Sequence, residues 1–385
     1  MRQRTDLPFS MDEYQGRLAR ARAAMRGLGI ELFMSCTPEN MYYLTGFNSR
    51  GYYSHQCLFL PLQGEPWIVT RLLDAANVVH QTWLEPGVSY RDEEDPVEIT
   101  VRSISDRGFG SAAIGLELSS WFLTAQTYSR MTELLPSAAF KDAAGLVEKQ
   151  RLVKSPAEIE YLRRAAKAVG TGMRAAIDAT HAGARDGDIA AAAYRDRILA
   201  GSEYVGSPVY VQTGPESAVP HNNWSGRRVE SGDVVFYEMG ASVKRYHCAL
   251  MRTSVVGPPS PVAARAGAAV VEALAASIDA IKPQVRAGDV DAAGRDVIAR
   301  AGFSENHTLR IGYPIGIGYP PTWVGRGVFG LNRGTPDLLE AGMVFHVIPW
   351  IHVPGVGGFG NSATVLVTDG GAEELTDLES TLFVR

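Results

Sequence analysis

The sequence predicts two folded units, an α/β half over residues 1–150 and an α+β half over residues 151–385. Three observations carry this reading. Helical and strand-like patterns alternate through the first part of the chain. A strong helix start, Ser155-Pro156-Ala157-Glu158, follows that alternation. Beyond it, helices and strands come in separate groups, unlike the steady alternation of a doubly wound sheet. The length of 385 residues suits such a division, since domains commonly hold roughly 100–200 residues.

Taken in order, Ser10 caps an amphipathic helix over Met11 to Gly27, and Ile30 to Cys36 reads as a buried strand. Met41 to Leu44, Gln56 to Leu62 and Trp67 to Arg71 read as further strands, the last two joined by Gln63-Gly64-Glu65-Pro66. Leu72 to Trp83 is predicted helical, Ala112 to Leu118 a strand and Thr124 to Leu135 a helix. At Ser155 the serine can cap free amides, the proline suits the first turn and Glu158 closes a capping box. That helix runs toward Thr180, so the domain boundary falls at Lys149 to Lys154. A helix (Asp188 to Leu199), a strand (Val209 to Thr213) and a hairpin-like pair (Val234 to Gly240, Ala249 to Val256) follow. Two more helices (Val262 to Ile281, Val290 to Ala301) precede the final strands, Met343 to His352 and Thr364 to Thr368.

Composition narrows the class. Hydrophobic residues make up 45% and charged residues 21%, ordinary for a globular protein, and no apolar run reads as a membrane span. With 37 Lys plus Arg against 42 Asp plus Glu, the net charge of −5 offers no basic field for a phosphate backbone. Nucleic acid and membrane are therefore not expected partners. Cys36, Cys57 and Cys248 are too far apart for a Cys-x-x-Cys site and odd in number, which points to a reducing, cytoplasmic setting. The first residues lack the apolar stretch of a secretory signal.

Generic signatures are missing or misplaced. Gly355-Val356-Gly357-Gly358-Phe359-Gly360 satisfies G-x-G-x-x-G, but a strand follows it where a nucleotide fold needs a helix, so a hairpin turn is expected. No P-loop, H-E-x-x-H or G-x-S-x-G is present. What stands out is polar residues inside apolar strands. Glu238 lies in Val234-Val235-Phe236-Tyr237-Glu238-Met239-Gly240, where an ionised carboxylate is costly without a partner. His221 and His247 follow the same logic, and each has a plain alternative as a satisfied core or loop histidine. Tyr313, Tyr319 and Trp323 lie in a Gly- and Pro-rich stretch and could be core or pocket wall. Arg50, in a turn-forming segment, has the forked donors to grip a carboxylate, or is simply a surface loop residue.

Several of these segments occur together and in order: Asn40 to Gly46, Lys154 to Ile159, Ser231-Gly232-Asp233-Val234-Val235, Arg252-Thr253 and Ala341 to Phe345. The chain thereby resembles the pita-bread superfamily of methionine aminopeptidase, prolidase and creatinase over nearly its whole length. The resemblance implies an RNase H-like amino-terminal domain of the creatinase type, a pita-bread catalytic domain and a homodimer with a shared active site, Arg50 to His55 of one copy closing the pocket of the other. The five metal-ligand positions of the family's metallopeptidases fall on Glu238, Ala249, Tyr313, Ile348 and Ser362, which leaves one carboxylate. No metal and no other cofactor is therefore expected.

Ala218-Val219-Pro220-His221-Asn222 is similar to the stretch bearing the catalytic histidine of creatinase, a metal-free branch, although that branch's two guanidinium-binding glutamates fall on Met251 and Ile348. A second metal-free branch, ectoine hydrolase, is similar at Phe236-Tyr237-Glu238, Lys244 to Cys248, Gly312 to Gly316, Tyr319-Pro320-Pro321 and Tyr53 to Cys57. It implies Glu238 as the catalytic carboxylate; His221 or His247 would shuttle the proton to the leaving nitrogen, since imidazole titrates in the working range. Arg50, Tyr53, His55, Gln56, Tyr246, Tyr313, Tyr319, Trp323 and His346 would bind substrate. This sequence departs from that branch at Thr322-Trp323-Val324-Gly325 and at Gly360-Asn361-Ser362-Ala363, where acidic residues are replaced.

The expectation is a metal-independent hydrolase of a non-peptide C–N bond in a small amino-acid-like compound, with an ectoine-type cyclic amidine as first candidate. Two alternatives stand beside it: a catalytically silent pita-bread binding module, and a Xaa-Pro peptidase-like metalloenzyme with altered ligands.

Overall fold

The computed structural model describes residues 2–385. Two compact units divide between Arg151 and Leu152.

The first unit begins with α1 (Met11–Leu28), whose Ser10 side chain accepts a bond from the Glu13 amide and whose Gly29 closes the helix in the left-handed region. It continues through β1 (Leu32–Ser35), α2 (Pro38–Thr45), β2 (Cys57–Pro61), β3 (Trp67–Arg71), α3 (Ala75–Gln81), β4 (Val88–Tyr90), α4 (Pro96–Ser105), β5 (Ala113–Leu116), α5 (Ala125–Leu134), β6 (Ala139–Asp142) and α6 (Glu148–Leu152). The six strands form one mixed sheet in the order β4-β3-β2-β1-β5-β6.

Several features of this unit differ from expectation, among them β4, β6 and α6, which had no counterpart in the sequence reading. Met41 to Leu44 is helical: Pro38 fills the first turn, Gly46 caps the end at φ 84°, and burial of all but one of the eight residues hides the helical period. The helix α4 was not expected; it starts at an Asp95-Pro96 cap, where the Asp95 side chain accepts from the Val97 and Glu98 amides.

The second unit opens with α7 (Pro156–Asp178), where the capping box forms with both reciprocal bonds. There follow α8 (Asp186–Leu199), β7 (Tyr210–Thr213), β8 (Val234–Val243), β9 (Tyr246–Val255), α9 (Pro261–Ala280), α10 (Ala287–Arg300), β10 (Gly312–Tyr319), β11 (Thr322–Val324), β12 (Val344–Val347), β13 (Trp350–Val353), β14 (Gly357–Gly360), β15 (Ala363–Thr368), β16 (Gly371–Glu374) and β17 (Leu382–Val384). A nine-stranded sheet runs β16-β15-β12-β10-β9-β8-β7, with β11 on β10 and β17 on β9. The expected last strand Met343 to His352 is two strands, because Ile348-Pro349 breaks the ladder. The glycine-rich segment forms the β13–β14 hairpin, with Val353 opposite Gly357.

Alternation along the strands decides what faces where. Tyr237 reaches Thr180 at the end of α7 (2.7 Å) and the Cys248 thiol reaches the Leu162 carbonyl (3.1 Å), so these positions face α7. Phe345 and Val347 share a hydrophobic cluster with α9 and α10. The intervening residues, Glu238 on β8 and His346 on β12, therefore point to the opposite, helix-free face.

By length and composition α9 could cross a membrane, contrary to the sequence reading. Its buried residues, among them Ala263, Ala266, Val270, Ala273, Leu274 and Ser277, recur at helical spacing and pack on the sheet, which is the arrangement of a core helix.

Candidate active site

Glu238 is the fifth residue of β8 and the single one of its ten that is not buried. The ladders place Tyr210 of β7 opposite it on one side and Met251 of β9 on the other. Residues opposite each other in a ladder share a face, so this triplet forms a strip across three strands. Among the described residues nothing donates a hydrogen bond or a positive charge to the Glu238 carboxylate. Burial among its neighbours is what pushes the carboxyl up to about 8.

A chain of hydrogen bonds runs alongside. Trp323 Nε1 donates to the Tyr313 hydroxyl (3.0 Å), which meets His346 Nδ1 at 2.8 Å, and His346 Nε2 meets Ser362 Oγ at 2.7 Å. Indole can only donate, so the tyrosine's own proton goes to Nδ1 and the imidazole carries its proton on Nε2. Ser362 Oγ also accepts from the Met251 amide (2.6 Å), tying the chain to the residue opposite Glu238. Burial and the Arg252 guanidinium hold His346 neutral, down to about 3. Burial, with the nearby Glu238 carboxylate next, raises the Tyr313 phenol well above its usual range. Trp323 can lie over β8 because Gly240 has no side chain: a Cβ there would stand 2.9 Å from the indole ring.

The two candidate histidines have different settings. His221 is exposed, in the left-handed region at φ 58°, with its ring 6.3 Å from that of Tyr210. A non-glycine residue in that region carries strain, which is found more often at functional positions. Its loop is pinned by Gln212, whose side-chain amide donates to the Asn222 carbonyl (2.6 Å). His247 is fully buried. Its Nδ1 donates to the Arg245 carbonyl (2.8 Å), its Nε2 accepts from the Gly206 amide (2.9 Å), and burial with the Arg245 charge takes it down to about 3. Both nitrogens are occupied by backbone, so the expected proton shuttling by His247 is corrected to a structural role.

Other expected substrate contacts also move. Tyr246 points toward α7, where its hydroxyl donates to Glu158 Oε1 (2.7 Å) and its ring stacks on Tyr161. Tyr319 is a wall for Arg245, whose guanidinium lies 4.4 Å from its ring and 3.9 Å from that of Tyr204. Arg245 also donates to the Tyr204 and Gly318 carbonyls. This clamp holds the β8–β9 turn, where Lys244 and Arg245 both have positive φ. Trp323 and His346 have their polar atoms paired inside the protein, with Tyr313 and Ser362.

In the amino-terminal unit, Arg50 and Tyr53 sit on an exposed turn, Arg50–Tyr53, with Tyr53 76% exposed. His55 is turned inward instead, its Nε2 2.9 Å from Thr100 Oγ1, and burial takes it down to about 4. Gln56 is buried, with its amide nitrogen against Met41 Sδ at 3.8 Å. Within this unit His55 Nε2 and the Gln56 amide nitrogen are engaged, and the buried Gln56 is corrected from a substrate contact to a core residue.

Sequence reasoning missed Tyr210. No local signal marks it; only the β7–β8 register puts it beside Glu238.

The profile of metallopeptidase family M24 matches residues 160–369, and that of the creatinase/prolidase N-terminal domain matches residues 17–153. The chain belongs to family M24. It is 32% identical to ectoine hydrolase from Halomonas elongata over 98% of this chain and 99% of that protein. Among solved structures it is similar to dipeptidase PepE from Mycobacterium ulcerans (28% identity, TM-score 0.83, covering 98% of this chain and 99% of that one). It is also similar to a prolidase from Thermococcus sibiricus (25% identity, TM-score 0.87, covering 98% and 100%). The two-domain architecture, a creatinase-type domain followed by a pita-bread domain, is that of these M24 proteins, and membership supports a hydrolase.

The five positions that the resemblance assigns to the metal ligands hold a donor set unsuited to a metal pair. Ala249 and Ile348 have no side-chain donor atoms, the Tyr313 and Ser362 hydroxyls are engaged with His346, and Glu238 is the one carboxylate of the five. Among the described residues no group of three or more His, Cys, Asp or Glu could hold a metal ion. Divalent ions need several such donors converging on one point.

Proposed function

We propose that this M24 protein is a metal-independent hydrolase of a non-peptide C–N bond in a small amino-acid-like compound, with an ectoine-type cyclic amidine as first candidate. The observation that carries the reading is Glu238: a carboxylate without a partner among the described residues, on the sheet face away from α7, at the first of the five ligand positions that the resemblance gives, while two of the other four have no side-chain donor and the remaining two offer only hydroxyls already engaged with His346. An unpaired carboxylate raised to about 8 is a site waiting for a cation. A bound amidinium ion would bring that pKa down and leave Glu238 ionised against the amidine carbon.

From there Glu238 acts as general base on water or as nucleophile. In the first case water adds to the amidine carbon as Glu238 takes its proton. The C–N bond then breaks, and the leaving nitrogen receives a proton to depart as an amine, leaving an amide. His221, exposed and beside Tyr210, is the proton donor in this scheme. Tyr313, held by Trp323 and His346, orients the bound ring. A cytoplasmic homodimer with Arg50 and Tyr53 of one copy closing the other's pocket accompanies this proposal.

The names of the PepE and prolidase relatives favour a second reading, a dipeptidase. One experiment separates them. The purified protein is incubated with ectoine, hydroxyectoine, creatine and Xaa-Pro dipeptides, with and without EDTA, and products are followed by mass spectrometry. Gain of one water by a cyclic amidine, unaffected by EDTA, supports the proposal. Dipeptide cleavage lost on chelation and restored by manganese, cobalt or zinc would sink it.

A further inference from the structure

Arg310 stands two residues before the start of β10 on a firmly held backbone. The carbonyl of its neighbour Leu309 accepts from Arg295 (2.9 Å), and the amide of its other neighbour Ile311 donates to Asp291 (3.2 Å), the two side chains being paired on α10. The guanidinium itself turns to the ring of Tyr313, 4.8 Å from its centroid. Tyr313 projects from the helix-free face, opposite His346 in the β10–β12 ladder, so Arg310 shares that face with Glu238.

Unlike the buried arginines of this unit, Arg310 has no hydrogen-bond or ion-pair partner among the described residues. Arg252 donates to the carbonyls of Met251, Ser362, Leu378 and Glu379, and Arg245 to those of Tyr204 and Gly318. Arg310 is partly buried yet donates no hydrogen bond and meets no carboxylate among the described residues. Burial lowers its affinity for its own proton, opposed by Tyr313 and reinforced by the like charge of Arg326. A desolvated guanidinium beside a second one, with its fork unused, is suited to an anion, and the planar fork matches a carboxylate through two parallel bonds.

We propose that Arg310 is the carboxylate-recognition residue of the Glu238 site, so that the substrate carries an acid group that rests against Tyr313 at one end and offers its C–N centre to Glu238 at the other. This rests on the reading of Glu238 as the catalytic carboxylate. It moves the clamp that sequence reading gives to Arg50 onto the catalytic unit itself. It also adds a selection rule: the site takes a zwitterion, cationic near Glu238 and anionic near Arg310, and discriminates against the same ring without its acid.

The test uses ectoine as the acid probe, its primary carboxamide as the neutral comparator and inorganic phosphate as the alternative anion. Binding is measured by titration calorimetry on full-length protein carrying Glu238→Gln, so that no turnover is needed. Kinetics are measured on protein with Glu238 intact. Arg310→Met should weaken ectoine about 10- to 100-fold, the loss of a charge-assisted pair, and shift the carboxamide by less than about threefold. Arg310→Lys keeps the charge without the fork and should recover part of the loss, which excludes simple misfolding. In turnover, Arg310→Met should raise KM far more than it lowers kcat. Equal effects on acid and carboxamide, no effect on the acid, absence of any Arg310-dependent binding of ectoine, or tighter Arg310-dependent binding of phosphate would each overturn the proposal. Retained turnover in Glu238→Gln with Arg310-dependent binding intact would instead remove the catalytic reading and leave the clamp standing.

Discussion

The Tyr313 hydroxyl stands 2.8 Å from His346 Nδ1, inside the protein and on the same face of the sheet as Glu238. At a position where M24 metallopeptidases place a metal ligand, this chain has a phenol that spends its hydrogen bonds on an indole and an imidazole. Tyr313→Phe should therefore leave Trp323 Nε1 and His346 Nδ1 buried without partners. The expected cost is about 1–3 kcal/mol of stability, read by denaturant unfolding of the variant beside wild type. A change within about 0.3 kcal/mol would show that water replaces the hydroxyl freely.

Glu238→Gln keeps size and one acceptor but can neither take a proton nor form an ester. Turnover on a verified substrate should fall by about 10²–10⁴-fold or more, and a cationic substrate should also bind more weakly once the carboxylate charge is gone. If more than about a tenth of the activity survives, Glu238 is structural.

The same residue sets a pH signature. Its native pKa, about 8, lies above the ordinary carboxylate value of 4.5, so between those limits the native state holds a proton that the unfolded chain has released. Wild-type stability thus declines as pH rises through this window and levels off above it. Glutamine does not titrate, so the melting-temperature difference in favour of Glu238→Gln should grow from pH 5 to pH 9. A difference that is flat with pH would contradict the raised pKa. In the free enzyme, kcat/KM should climb with pH up to about 8 as the carboxylate ionises.

The two histidines should separate by readout. His221→Asn is expected to lower kcat with little change in melting temperature, because the side chain is exposed. His247→Asn removes a ring bonded to Gly206 and Arg245 backbone and should lower the melting temperature first. Equal loss of rate at unchanged stability in both variants would restore His247 as a shuttle.

Chelation should leave activity intact, since two of the five ligand positions hold alanine and isoleucine. Dialysis against EDTA followed by assay and metal analysis checks this.

The amino-acid sequence by itself determined the two-part organisation, the capping box at Ser155, the hairpin around Lys244 and the anomaly of a glutamate among apolar residues in β8, because each depends on neighbours in the chain. It also exposed the replaced ligand positions through their order. It did not separate His221 from His247, both polar residues near strands and turns, since their difference lies in partners contributed by distant segments: Gly206 saturates one ring while the other stays exposed. Tyr246 and Tyr319 have the composition of pocket walls, yet the pleat turns the first to α7 and the Arg245 clamp occupies the second. Tyr210 and Arg310 were invisible for the converse reason. Ladder register and a stacked ring place them at the site, and both are properties of the folded sheet rather than of any local pattern.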